Sequence, residues 1–324
     1  MTTLLRLKTE GWVPDRDLIL ALTAGEEGGM PYVGAEWLVK NKRSLIDAEY
    51  AINVDAGGGE IDHGKHTLFD VQAAEKVYHS VALVVKNSGG HSSLPRKDNA
   101  IYSLAAALDR IAKFEFPAKP NDVVKAYFAK AAVAASPTVA ADMRTVATSS
   151  LSASAAAIAR LSASPLYNAN LRTTCVATQL EGGHAPNALP QTARAVVNCR
   201  MLPGEDPAAV EKTLVRVIND TSVHLSPIDT AIQSPPSPLR PDLFTAIGAS
   251  VKAIFGPLPI VPTMETGATD GLYLRNAGIP VYGLSGLFIP IDDNRMHGKD
   301  ERIIVVEFDK ALDFTYDLLK RITR

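Results

Sequence analysis

Residues 18–38 read LILALTAGEEGGMPYVGAEWL. An apolar run ends at two adjacent glutamates, Glu26 and Glu27, passes through Gly28 and Gly29, and leads into VGAEWLVKNKRSL (33–45), whose apolar residues recur at helical spacing. A second apolar run, AEYAINVD (48–55), also ends on a carboxylate, Asp55, followed by Gly57, Gly58 and Gly59. The strand, helix, strand alternation predicts an α/β fold: a mainly parallel sheet flanked by helices. Chemistry in such sheets gathers at the carboxyl ends of the strands, and Glu26, Glu27 and Asp55 all fall there.

The texture changes near Val77. YHSVALVVKN (78–87) reads as a strand, DNAIYSLAAALDRIAKF (98–114) as a helix, and TTCVATQLEGG (173–183) and ARAVVNCRML (193–202) as strands. DPAAVEKTLVRVIND (206–220) reads as a helix with Asp206 as N-cap and Pro207 at its first position, and VHLSPI (223–228) as a closing strand. This order predicts an inserted α+β domain and three segments: 1–76 and 236–324 for the sheet domain, 77–235 for the insertion. Residues 131–164 are biased to Ala, Ser and Thr, which suits small-residue helices or a mobile arm. A proline-rich hinge, QSPPSPLRPD (233–242), precedes the return to the sheet domain, which ends in a helix over 306–324. MTTLLRLKTEGW (1–12) resembles the last turns of an amphipathic helix stopped at Gly11.

With a formal charge of -2 and 21% charged residues, the chain lacks the concentrated basic field that a nucleic-acid or membrane-surface partner requires, so a small ligand is expected. No segment reaches the roughly 20 apolar residues of a membrane span, and the first residues lack the core of a signal peptide, so a soluble chain is expected. Cys175 and Cys199, with no CxxC partner, read as small core residues rather than as a disulfide or a zinc site.

His297, in RMHGKDERI (295–303), reads by itself as a surface residue of a polar turn, but with Asp55 and one of the two adjacent glutamates it makes up a set of residue types suited to a hydrolytic zinc, which needs three protein ligands and an open position for water. His91, in GGHSSLP (89–95), caps its helix region or reaches a substrate across a cleft. Asn187, in EGGHAPNALP (181–190), and Arg200 either hold a carboxylate together or simply belong to a hairpin. His63 and His66, in IDHGKH (61–66), read as a solvated turn; His79 and His224 read as strand-edge residues, and His184 as part of a turn.

Taken in order, LTAGEEGG, AINVD, GGHSSLP, EGGHAPNALPQTARAVVNCR, ETGATDG (265–271) and MHGKDERI resemble the M20 metallopeptidase family, which includes glutamate carboxypeptidases, dipeptidases, aminoacylases and desuccinylases. The resemblance implies a zinc-exopeptidase-like domain carrying an inserted lid that forms a homodimer. It implies Glu26 as general acid/base and Glu27, Asp55 and His297 as ligands to two zinc ions. It also implies His91 acting in the partner subunit's site, and Asn187, Arg200, Gly267 and Thr269 around the substrate carboxylate. Two features of the family are not found here: an HxD segment supplying a histidine ligand, and an aspartate bridging both metals. The expectation is an N-terminally truncated M20 chain with weak zinc binding and very low hydrolysis of a dipeptide or acyl amino acid. The alternative is a metal-poor homologue serving dimerisation or peptide binding. Carboxypeptidase and dipeptidase chemistry is favoured over desuccinylation, and the compartment stays undefined.

Overall fold

The computed structural model describes residues 1–27, 32–293 and 295–324; Gly28 and Gly29 of the opening stretch lie outside them. Ordering begins with helix α1 (Thr2–Thr9), closed by Gly11 at φ +69°, and helix α2 (Gly34–Asn41). Between them residues 18–24 form no strand. Leu18, Ile19, Leu20 and Leu22 are exposed, and no described strand pairs with them. This corrects the strand expected for the apolar run before Glu26: an apolar run becomes a strand only when a neighbour supplies the ladder of backbone hydrogen bonds.

The first sheet is six-stranded. Its strands are β1 (Ala51–Asn53), β2 (Gly58–Asp62), β3 (Lys65–Glu75), and three later ones described below. β2 and β3 form a hairpin in which Asp62 pairs with Lys65 and the turn residues His63 and Gly64 both have positive φ, as a two-residue type I′ turn requires. His63 is solvated, as the sequence suggested. His66 is not: its ring lies 4.0 Å from that of Phe288, and its Nε2 is 3.1 Å from Glu307.

The chain then enters a four-stranded antiparallel sheet through β4 (Val77–Lys86). A short strand, β5 (Gly90–His91), is followed by helix α3 (Ala100–Lys113), capped by Asn99. The next four helices are α4 (Asp122–Ala131), α5 (Pro137–Thr148), α6 (Ala155–Leu161) and α7 (Pro165–Leu171). Although they fall inside 77–235, they pack on the first sheet. Val124, Phe128, Met143, Ile158 and Leu171 share one core with Phe69, Val71 and Phe288. The Ala-rich bias thus serves close helix packing.

The second sheet is completed by β6 (Thr174–Gly182) and, after the short β7 (Ala188–Leu189), by β8 (Thr192–Met201). Helix α8 (Pro207–Ile218) and β9 (Val223–Pro227) follow, giving the order β6-β8-β4-β9. As expected, the Asp206 carboxylate accepts from the Ala208 amide and Pro207 occupies the first turn. Apolar residues of α3, α8 and the inner face of this sheet form a separate core around Leu83, Leu104, Val197 and Leu214.

The cysteine expectation is corrected here. β6 and β8 pair with Cys175 directly opposite Cys199, their Cα atoms 4.0 Å apart, and the two side chains form a disulfide. Antiparallel register brings together residues that a scan for local cysteine motifs treats as unrelated.

The chain returns to the first sheet through helix α9 (Pro241–Phe255), β10 (Ile260–Glu265), helix α10 (Gly271–Asn276), β11 (Val281–Gly283) and β12 (Phe288–Pro290), and ends in helix α11 (Val305–Ile322). Pairing is parallel for β1 with β11, β10 with β3 and β12 with β2, and antiparallel where β3 meets β2 and β11. Among the described residues no helix is long and apolar enough to cross a membrane.

Candidate active site

Two glycines set the frame. Gly34 opens α2 against Ala24: its amide donates to the Ala24 carbonyl at 2.7 Å, and a Cβ there would lie 2.8 Å from the Ala24 nitrogen. The Glu26–Glu27 turn is thereby held at the start of a helix. Gly57, at φ +70°, passes so close to Gly283 that a Cβ would stand 2.2 Å from its carbonyl oxygen, which fixes how the chain leaves Asp55.

Around this frame the structure gathers Glu26, Glu27, Asp55, His297 and one residue not singled out in the sequence, Asp270. The Thr23 hydroxyl donates to Asp270 Oδ2 at 2.8 Å, tying the loop after β10 to the turn that carries the glutamates. His297 Nε2 lies 3.9 Å from Glu27 Oε2, both side chains largely exposed. Partial burial, followed by Asp55, Glu27, Asp270 and Glu75, pushes the Glu26 carboxyl up to about 7. Partial burial and then the Glu27 and Glu265 carboxylates raise Asp55, with His297 opposing. Partial burial and Asp55 raise Asp270, with the Thr23 hydroxyl opposing. A carboxyl near neutrality beside water is equipped to take and return a proton.

The zinc expectation fits this geometry poorly. Among the described residues no three His, Cys, Asp or Glu side chains come together as a metal-holding group, whereas a catalytic zinc takes three protein ligands.

Gly267 and Thr269 lie on the loop between β10 and α10. The Gly267 amide is 3.4 Å from Glu265 Oε1. Thr269 is buried, and both its amide and its hydroxyl donate to Glu75, at 3.0 and 2.8 Å. Glu75 and its ion-pair partner Arg275 carried no local signal in the sequence, because they meet across 200 residues of chain.

The remaining candidates divide between the two ends of the second sheet. Arg200 sits beside β4, its guanidinium 4.8 Å from the Tyr78 ring centroid and its Nε donating to Asn198 Oδ1 at 3.3 Å; burial lowers its pKa. His91 and Asn187 lie at the opposite tip, where His91 pairs with Ala188 and the Ser92 amide donates to the Asn187 carbonyl at 3.0 Å. His91 Nδ1 is 2.8 Å from the Ser93 hydroxyl. Along β8 from Thr192 to Arg200, at about 3.3 Å per residue, the two ends are separated by roughly 26 Å. Within one chain Asn187 and Arg200 do not meet.

The model of the M20 peptidase dimerisation domain matches residues 73–225. Residues 73–225 are thus an M20 peptidase dimerisation domain. It is similar to the probable carboxypeptidase S-like 2 of Dictyostelium discoideum, 28% identical over 268 residues, which cover 78% of this chain and 48% of that relative. It is also similar to the human N-fatty-acyl-amino acid synthase/hydrolase PM20D1, 27% identical over 334 residues, which cover 95% of this chain and 62% of that relative. The chain therefore spans about half to three-fifths of the length of these relatives. Its fold is that of the M20 metallo-carboxypeptidase Sso-CP2 from Sulfolobus solfataricus, with a TM-score of 0.60 and 19% identity over 89% of this chain and 66% of that one. Human carnosine dipeptidase 1 shares the fold, with a TM-score of 0.58 and 12% identity over 99% of this chain and 70% of that one.

Proposed function

We propose that this M20 chain takes part in hydrolysis of an amide or peptide bond in a small substrate bearing a carboxylate, an acyl amino acid or a dipeptide. The observation that carries the reading is the turn that sets Glu26, half-buried, among Asp55, Glu27 and Asp270. Glu26 takes a proton from the attacking water and returns it to the leaving amine. Arg200, braced by Tyr78 and Asn198, forks the substrate carboxylate. The names of the relatives favour amino-acid conjugates, whether peptide or fatty-acyl.

His91 and Asn187 act in the site of a second copy. In support, β6 is an edge strand of the second sheet, exposed along most of its length with Val176 59% and Leu180 69% accessible. An apolar edge of this kind invites pairing with its own copy.

Hydrolysis by this chain is slow, because Glu27, Asp55 and His297 offer less than two zinc ions require. The test is turnover of N-acyl amino acids and dipeptides by the purified protein with added zinc, compared with Glu26→Gln. Turnover lost in that variant supports the reading, and turnover unchanged overturns it. A second reading, a metal-poor binding module, is favoured by the poor fit to zinc; it predicts tight binding of carboxylate ligands with no turnover at any zinc concentration.

A further inference from the structure

The end of β3 carries two consecutive buried ions, Glu75 and Lys76, at the point where the chain first leaves one sheet for the other. Nothing in the proposed chemistry uses Glu75, although every part of its carboxylate is occupied. Oε1 accepts from the Ser234 hydroxyl at 2.8 Å and lies 3.0 Å from Arg275. Oε2 accepts from the Thr269 amide, the Thr269 hydroxyl and, at 3.3 Å, Gln72. Arg275 is spread in turn over the Ser237 and Ser234 hydroxyls and the Val281 carbonyl. A buried ion pair satisfied this fully fixes geometry more than it adds stability.

Thr269 sits next to Asp270, and Asp270 holds Thr23, three residues before Glu26. One rigid carboxylate therefore pins the middle of the 265–271 loop, and that loop touches the turn of the glutamates. The Thr269 hydroxyl gives its one proton to Glu75 and accepts from the Gly271 amide at 3.1 Å, so it has no proton left to donate to a substrate.

We infer that Glu75 is a positioning residue that sets the 265–271 loop through Thr269, so that Thr269 serves as the loop's anchor and not as a substrate contact. The inference rests on the reading of this loop as part of the substrate site. Its mechanical half stands independently of that reading.

The test uses the full chain with Thr269→Val, which keeps the volume and leaves the Glu75–Arg275 pair intact, and Thr269→Ser, which keeps the hydroxyl. Amide hydrogen exchange is followed in the loop and in β3 and β10, alongside titration with an N-acyl amino acid. Losing a hydrogen bond to a charged group should speed exchange across 266–270 by roughly 10- to 100-fold in the valine variant, leave β3 and β10 protected, and be reversed in the serine variant. Ligand affinity should weaken in parallel with the loss of protection. Unchanged loop exchange in the valine variant overturns the anchoring. Altered exchange with unaltered affinity overturns the link to ligand binding. Wild-type protein that binds no such ligand defeats the substrate reading, while the exchange result still decides the anchor.

Discussion

Replacing Lys76 by methionine should flatten the dependence of stability on pH. Lys76 is 1% exposed, and its ammonium donates to the carbonyls of Ala169 and Arg172, each at 2.8 Å, and to the Thr174 hydroxyl at 3.4 Å. Burial pulls it from the ordinary lysine value of 10.5 down to about 7, with the Glu205 carboxylate opposing. The unfolded chain thus holds the proton up to a higher pH than the folded one does. Between pH 7 and 10.5 unfolding takes up protons, and stability rises with pH across that window. A shift of this size makes the wild type gain about 2 kcal/mol between pH 7 and pH 9 that the methionine variant does not. Urea unfolding of both proteins at pH 7, 8 and 9 measures the difference directly. If that difference is the same at every pH, the three oxygen acceptors hold the ammonium at its ordinary value, and the argument from burial fails.

Three further outcomes are expected. For any substrate that is turned over, kcat/KM should rise as the pH passes about 7, because the base form of Glu26 is the ionised one, and Glu26→Gln should lower kcat by roughly 100-fold or more. Cys199→Ser should destabilise the second sheet by about 3 kcal/mol from loop-closure entropy over the 24-residue separation, measured by urea unfolding without reductant; thiols freely alkylated in the unreduced wild type would contradict the bond. Leu180→Lys on the exposed edge strand should shift sedimentation toward the monomer, and an unchanged sedimentation coefficient would place the dimer contact elsewhere.

Much of this architecture was written locally. The helices at 100–113 and 207–218 and the strands at 77–86 and 192–201 follow from periodicity and caps, so short windows sufficed. What escaped depended on distant partners. Residues 18–24 have strand composition but no ladder partner. Cys175 and Cys199 meet only because β6 and β8 are in register. The helices from Asp122 to Leu171 lie inside the insertion in sequence but cover the first sheet in space. Within the candidate site, the proximity of Glu26, Glu27, Asp55 and His297 was legible from the motifs that carry them. Glu75 and Arg275 were not, since their importance lies in a network spanning some 200 residues of chain.

The length of β8 has a genetic consequence. If each reaction centre draws Arg200 from one chain and His91 from the other, a protein carrying His91→Ala and one carrying Arg200→Ala are each defective alone. Mixed heterodimers of the two would contain one centre with both residues and one with neither. Co-expression would then restore about half of the wild-type turnover per heterodimer, so two recessive lesions in the same gene would complement each other.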